Sequence, residues 1–323
     1  MKKVIGILLV AVLLLSLTAC GGGGSDAAYP SKNIDVIVAY KAGGGTDVGA
    51  RILASEAEKL IGKPLVIINR PGSDGEIGFT ELAKAKPDGY TIGFINLPTF
   101  VSLTLERETQ YKIDDVEPIL NHVYDAGVLV VQSSSEFKTL EDFIDYAKKH
   151  PGDLMISNNG TGASNHIGAA HFEHLAQIDV THVPFGGSTD MLAALRGGHV
   201  HASVAKISEV ASLSGEGGEL RILASFTDER LANFQDVPTL NEKGFDILFG
   251  SARALVAPKG TPADVIQFLH DKFKAAMESP EHLEKAGNAD LPILYMSPAD
   301  LAEYIKKEEA YLKEIGKVLD LSK

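Results

Sequence analysis

Two loops carry residues whose types and spacing could do chemistry. One is Lys41-Ala42-Gly43-Gly44-Gly45-Thr46-Asp47, and the other is Asn158-Asn159-Gly160-Thr161-Gly162-Ala163-Ser164-Asn165. Each follows a short apolar run and opens a helical pattern. Consecutive glycines let main-chain N–H groups approach a ligand without a Cβ in the way, and a helix N-terminus adds unpaired donors with a partial positive charge. Each loop therefore suits an anionic group. The plainer alternative is that the glycines only make turns while Thr46, Asp47 and Ser164 cap helices. A nucleotide fits poorly: no Lys-Ser or Lys-Thr follows the glycines, Val48 stands where a third fingerprint glycine would be, and Asn165 follows Gly160 and Gly162. Asp179 begins a strand instead of ending it, which is the wrong place for a ribose ligand. Lys206 ends a strand in the second half, where its ammonium could pair with a second anionic group of the same ligand; the competing reading is a solvated surface lysine.

Other reactive constellations are weak. His171 and His174 share a helix face and His199 and His201 a strand face, but neither pair brings a clear third ligand, so no metal is expected. There is no Gly-x-Ser-x-Gly elbow and no His-Glu-x-x-His. Acidic residues mostly alternate with lysines, as in Lys306-Lys307-Glu308-Glu309, which describes a solvated face. Catalysis has no anchor and no cofactor is expected. The alternative of a surface-anchored enzyme, acting on an anionic metabolite in a cleft that the two loops would face, would rest on Asp47 or His166.

Strands and helices must position these loops. Ile34 to Tyr40 reads as a strand, and a helix follows with Ile52, Leu53, Ala57, Leu60 and Ile61 on one face, ended by Gly62-Lys63-Pro64 before strand Leu65 to Ile68. That βαβ unit implies a parallel sheet. A helix near Ile77 to Ala85 and a strand from Tyr90 to Ile95 repeat the pattern. Val116 to Val123 and Gly127 to Gln132 read as two strands around Tyr124-Asp125-Ala126, where the chain is expected to pass between domains. The second half repeats the grammar: helices at Thr139 to Lys149, His166 to Leu175 and Asp190 to Leu195, and strands at Leu154 to Ser157, Val180 to Val183, Val200 to Ala205 and Arg221 to Ser225. Leu255 to Ala257 reads as the last strand, before helices Pro262 to Met277 and Pro298 to Ile315.

Composition limits the rest. The chain has 323 residues, 45% apolar and 23% charged, which favours a folded protein of two domains. Its formal charge of −13, with no long basic block, argues against nucleic acid. Lys2 and Lys3 precede an apolar run from Val4 to Leu17, which reads as an export signal. The run ends in Leu17-Thr18-Ala19-Cys20, which resembles the lipobox of bacterial lipoproteins. The single cysteine, Cys20, is then a lipidation site on an extracytoplasmic protein. Residues 1–19 are expected to be the signal peptide, and 20–29, with Gly21 to Gly24, a flexible tether.

A family resemblance rests on motifs in order. They are Tyr29-Pro30-Ser31-Lys32, Gly43-Gly44-Gly45-Thr46-Asp47 with Ala50-Arg51, Asn69-Arg70-Pro71-Gly72, Pro87-Asp88-Gly89-Tyr90-Thr91, Gly160 to His166, His182-Val183-Pro184-Phe185 and Asp236-Val237-Pro238-Thr239. Together they closely resemble the extracytoplasmic substrate-binding proteins of tripartite tricarboxylate transporters. The resemblance implies an α/β, periplasmic-binding-protein-like clamshell of two domains with a ligand cleft between them. Domain I would span 30–123 plus 245–323, and domain II 124–244. It also implies a monomer that captures a carboxylate and delivers it to membrane permease subunits. The ligand set it implies is Tyr40, Gly43, Gly44, Gly45, Thr46 and Asp47 from the first loop, Gly160, Thr161, Gly162 and Ser164 from the second, and Phe185 and Gly187 from a third turn. Two departures stand out: Lys41-Ala42 precede the first glycines where the family has proline, and Ala205-Lys206 replace an aspartate.

Overall fold

The computed structural model describes residues 29–317; the expected signal peptide, Cys20 and nearly all of the tether lie outside them. The chain divides after Ser31. The first unit contributes only Tyr29, Pro30 and Ser31 to the description, with a cis Tyr29–Pro30 bond. All that follows concerns the unit beginning at Lys32.

Strand β1 (Ile34–Val38) is buried almost throughout and pairs in parallel with β2 (Leu65–Asn69) and β3 (Thr91–Leu97). Helix α1 (Gly45–Ile61) makes the first crossover and stops at Gly62, whose left-handed φ of 73° lets its N–H reach the Glu58 carbonyl. Helix α2 (Glu76–Ala83) makes the second crossover. Helix α3 (Thr99–Glu106) is absent from the sequence expectation. Its first five residues are all buried, so no apolar stripe signals a helix.

Strand β4 (Val116–Gln132) is the spine of the molecule. The expected break at Tyr124-Asp125-Ala126 does not occur, because these residues stay in register opposite Ala252, Ser251 and Gly250 of β9 (Gly250–Pro258). At Gly127 the strand changes partners and continues against β7 (Ala202–Lys206) and β8 (Leu220–Ser225). One continuous strand therefore serves two ladders. The order is β2-β1-β3-β9-β4-β7-β5-β6, with β5 (Met155–Asn158) and β6 (Thr181–Pro184) parallel to each other. Strand β10 (Ile293–Met296), which the pattern also missed, adds to β4 beside Asn121 and Val123. It is short and half-exposed, so its apolar signal is weak.

Each half of the sheet has its own apolar core. Phe79, Phe100, Tyr111, Leu301 and Ile305 belong to the first, the last two from the C-terminal helix α10 (Pro298–Ile315). Phe143, Leu154, Phe172, Phe226 and Phe249 belong to the second. Ile247 and Phe249, which follow residue 245, pack in this second core with Phe245 beside them. Helix α4 (Leu140–Lys149) shows how sequence sets such a unit. Thr139 and Asp142 cap its start reciprocally, and Leu140, Phe143, Ile144 and Ala147 form the buried stripe.

Candidate functional site

A cavity of about 410 Å³ lies where the two halves meet. Several helix starts reach it, α2 through Gly75 and α3 through Thr99 among them; the three that follow the glycine-rich turns are α1 through Gly44, Gly45 and Thr46, α5 (Ser164–Ala176) through Ser164, and α6 (Ser188–Arg196) through Gly187 and Ser188. None of the three has a side-chain cap; their N-cap residues are Gly44, Ala163 and Gly187. Helices α4, α9 (Pro280–Asn288) and α10, which start outside the cavity lining, are capped by the side chains of Thr139, Ser279 and Ser297, while α8 (Ala263–Met277), also outside it, starts at Pro262 without a side-chain cap. Main-chain N–H donors at a positive helix end suit an anion. The capping alternative for Thr46 and Ser164 does not hold. Thr46 Oγ1 instead accepts the Asn96 amide at 2.8 Å, and the Ser164 N–H donates to Thr99 Oγ1 at 3.3 Å.

The structure brings Tyr40, Gly44, Gly45, Thr46, Ser164, Gly187 and Lys206 to the cavity wall. The other residues of the expected set stand behind or beside it. Gly43, with φ at 83°, donates its N–H to Asp47 Oδ2 at 2.9 Å. Asp47 is turned away from the cavity and also accepts from Arg51 at 3.0 Å and Asn69 at 2.9 Å. Burial pushes the Asp47 carboxyl up, but the hydrogen bonds from Arg51, the Gly43 N–H and Asn69 outweigh it and hold its pKa below the usual range. Gly162, with φ at 68°, donates its N–H to His166 Nδ1 at 3.0 Å, and its carbonyl accepts from Ser102 at 2.8 Å. His166 is buried; desolvation, followed by the neighbouring His182, lowers its pKa to about 4, so the ring is neutral and Nδ1 stays an acceptor. Gly160 lies against Asp74, Thr161 is exposed, and Phe185 packs on the core beside Met191. Neither Asp47 nor His166 is aimed into the cavity, which removes the two titrating groups on which an enzyme reading would rest.

Lys206 is not a solvated surface residue: it is 3% exposed. Its Nζ donates to Asn165 Oδ1 and lies 4.1 Å from the Phe249 ring centre, while its N–H donates to Glu209 at 2.9 Å. Burial lowers its pKa to about 7, despite the opposing pull of Glu209 and Asp125.

Sequence reasoning missed Arg253. It sits on β9, lines the cavity and pairs with the buried Asp125 of β4. Its guanidinium lies against the backbone of Gly45, where a Cβ would come within 2.7 Å of Nη2. The available signal was a lone arginine in the run Ala252 to Ala257, since a charge there must find a partner or a ligand.

The doubly anchored sheet and shared cavity define an α/β clamshell of the periplasmic-binding-protein type. The chain belongs to the tripartite tricarboxylate transporter family of receptors, whose family model matches residues 49–321. Members of this family bind solutes and are not enzymes. A protein from the gbd 5′ region of Cupriavidus necator is 33% identical over 310 residues, covering 95% of this chain and 94% of that protein. Among solved structures, the R. palustris protein Rpa4515 with adipate superposes with a TM-score of 0.84 at 27% identity, covering 90% of this chain and 98% of that one. MatC from Rhodopseudomonas palustris with bound malate gives 0.81 at 26% identity, covering 89% and 99%. Among the described residues, no helix is long and apolar enough to cross a membrane.

Proposed function

We propose that this receptor captures a small organic anion, a di- or tricarboxylate, and delivers it to the permease subunits of a tripartite tricarboxylate transporter. The observation that carries the reading is the convergence of three uncapped helix starts and two buried cations on one cavity. The adipate and malate held by the two R. palustris proteins support carboxylate as the ligand class. Capture works by closure. Domain I, built around β1 to β3 and β9, and domain II, built around β5 to β8, rotate about the strand connections between them until both touch the ligand. Closure is favoured only as far as the ligand binds the closed state better than the open one. The protein works extracytoplasmically as a monomer, tethered to the membrane by acylated Cys20.

The test is mass spectrometry of small molecules released by denaturing gently purified protein, with a turnover assay on the same acid. A stoichiometric carboxylate returned chemically unchanged supports the reading. A chemically altered acid, or recovery of only uncharged compounds, contradicts it. For the anchor, mass spectrometry of the mature N-terminus should find a diacylglycerol-modified cysteine at position 20; an unmodified terminus elsewhere refutes lipidation.

A further inference from the structure

Two cations are buried at the cavity wall, and Arg253 keeps donors that no group among the described residues accepts. Arg253 is 3% exposed. Its Nη2 faces Asp125 and Ser208, but among the described residues Nε and Nη1 have no hydrogen-bond partner. Lys206 gives Nζ to the neutral Asn165 amide oxygen, and among the described residues no carboxylate forms an ion pair with it. Unpaired charged donors at such depth are costly unless something fills the site.

The fold sets these two side chains on opposite flanks of one strand. Arg253 stands opposite Val123 of β4, and Lys206 stands opposite Gly127. Asp125 lies between those two β4 positions and is already committed to Arg253 and to Ser208. Charge matching follows. Asp125 offsets Arg253 and the Glu209 carboxylate stands beside Lys206, while Asp74 and Asp190, which also line the cavity, pair with Arg107 and Lys41, so the side chains alone leave no net positive charge. The three uncapped helix starts add roughly half a charge each. Glu209, the remaining charged group beside Lys206, accepts the Lys206 N–H at the start of the short helix α7 (Ile207–Val210).

We propose that Arg253 and Lys206 hold the two ends of one short dicarboxylate by direct ion pairing, Arg253 through Nε and Nη1 and Lys206 through Nζ. The inference rests on the reading of the chain as a carboxylate receptor and adds what selects the acid. A monocarboxylate leaves one cation unanswered, so the cavity discriminates by charge count. Binding also moves a proton. Burial holds the Lys206 pKa at about 7, with Asp125, Glu209 and Arg253 as the charges around it. A carboxylate arriving at Nζ stabilises the ammonium, so above neutrality the complex takes up a proton and affinity falls as pH rises.

The experiment is calorimetric titration of the purified protein with succinate, glutarate and adipate and with their monoamides. Titrations at about pH 8 in two buffers of different ionisation enthalpy measure proton uptake. The expected result is that the best diacid binds about ten- to a hundredfold tighter than its monoamide, with proton uptake. In Lys206→Met that preference and the uptake both vanish. Arg253→Gln made together with Asp125→Asn, which leaves no lone buried charge, weakens both ligands. Equal binding of diacid and monoamide by the native protein, a preference kept in Lys206→Met, or full affinity in the double variant overturns the inference alone. The native-protein comparison needs no variant to fold. Failure of all three diacids and their monoamides to bind the native protein instead overturns the dicarboxylate reading beneath it.

Discussion

The two glycine loops solve one problem with different chemistry. In each, a glycine with positive φ donates its N–H to a side chain four residues later, Gly43 to Asp47 and Gly162 to His166. The first latch is an anion that works because Arg51 and Asn69 crowd it with donors. The second is a neutral imidazole that works because burial keeps it unprotonated. The loop shape thus requires only an acceptor at the fourth position. What differs is the condition under which each acceptor fails.

The comparison breaks most severely if the loops themselves are filled. Gly45→Val forces a side chain into the Arg253 guanidinium, and Gly162→Val combines a strained φ with a Cβ against Glu106. Both should lower affinity for the acid recovered from the purified protein by about a hundredfold, near 3 kcal/mol, in calorimetric titration. Full affinity in both would contradict the site. Asp47→Ala removes the acceptor for three donors and should cost about 2–3 kcal/mol in urea unfolding. A cost below that of one ordinary hydrogen bond would show that the first latch is dispensable.

Acid separates the latches more finely. His166 has a folded pKa of about 4 against an ordinary 6.5, so its contribution is complete above 6.5 and declines as pH falls towards 4. The loss is about 2 kcal/mol by pH 5. Asp47 has the lowered carboxylate, so its contribution holds until pH drops below the usual carboxylate range. In His166→Asn, whose Oδ1 can replace Nδ1 without titrating, thermal stability should fall less between pH 6.5 and 5 than in the parent. His122 and His282, an entirely buried pair whose Nε2 atoms are 2.8 Å apart, contribute equally to both proteins and cancel in the difference. Parallel pH profiles would exclude His166 as the acid-sensitive latch. The smallest effect belongs to Arg51→Met. Arg51 is half-exposed, so solvent screens its pair with Asp47 and the loss in urea unfolding should stay below about 1 kcal/mol. A larger loss would mean the first latch depends on charge rather than hydrogen bonding.

The loops, the alternating βα grammar and the suspicion attached to Lys206 were legible because each is local: glycines, apolar periods and a charge ending a strand. Arg253 was not, since its partner Asp125 lies 128 residues away and meets it only across the β4–β9 ladder. The inward turn of Asp47 was hidden for a similar reason. An aspartate beside a helix start looks like a cap, and only the approach of Asn69 from β2 shows what it organises. Helix α3 escaped because burial all round erases the period on which sequence reading depends.

The partner change at Gly127 has a practical consequence. Val116 to Ala126 belongs to one ladder and Gly127 to Gln132 to the other, so no cut yields two self-sufficient pieces. Either half expressed alone would carry a strand with open hydrogen-bonding edges and invite aggregation. A reporter that senses the ligand therefore has to be inserted elsewhere. The exposed turn at Gly215-Glu216-Gly217, just before β8, interrupts no strand of either ladder and offers a place for new termini.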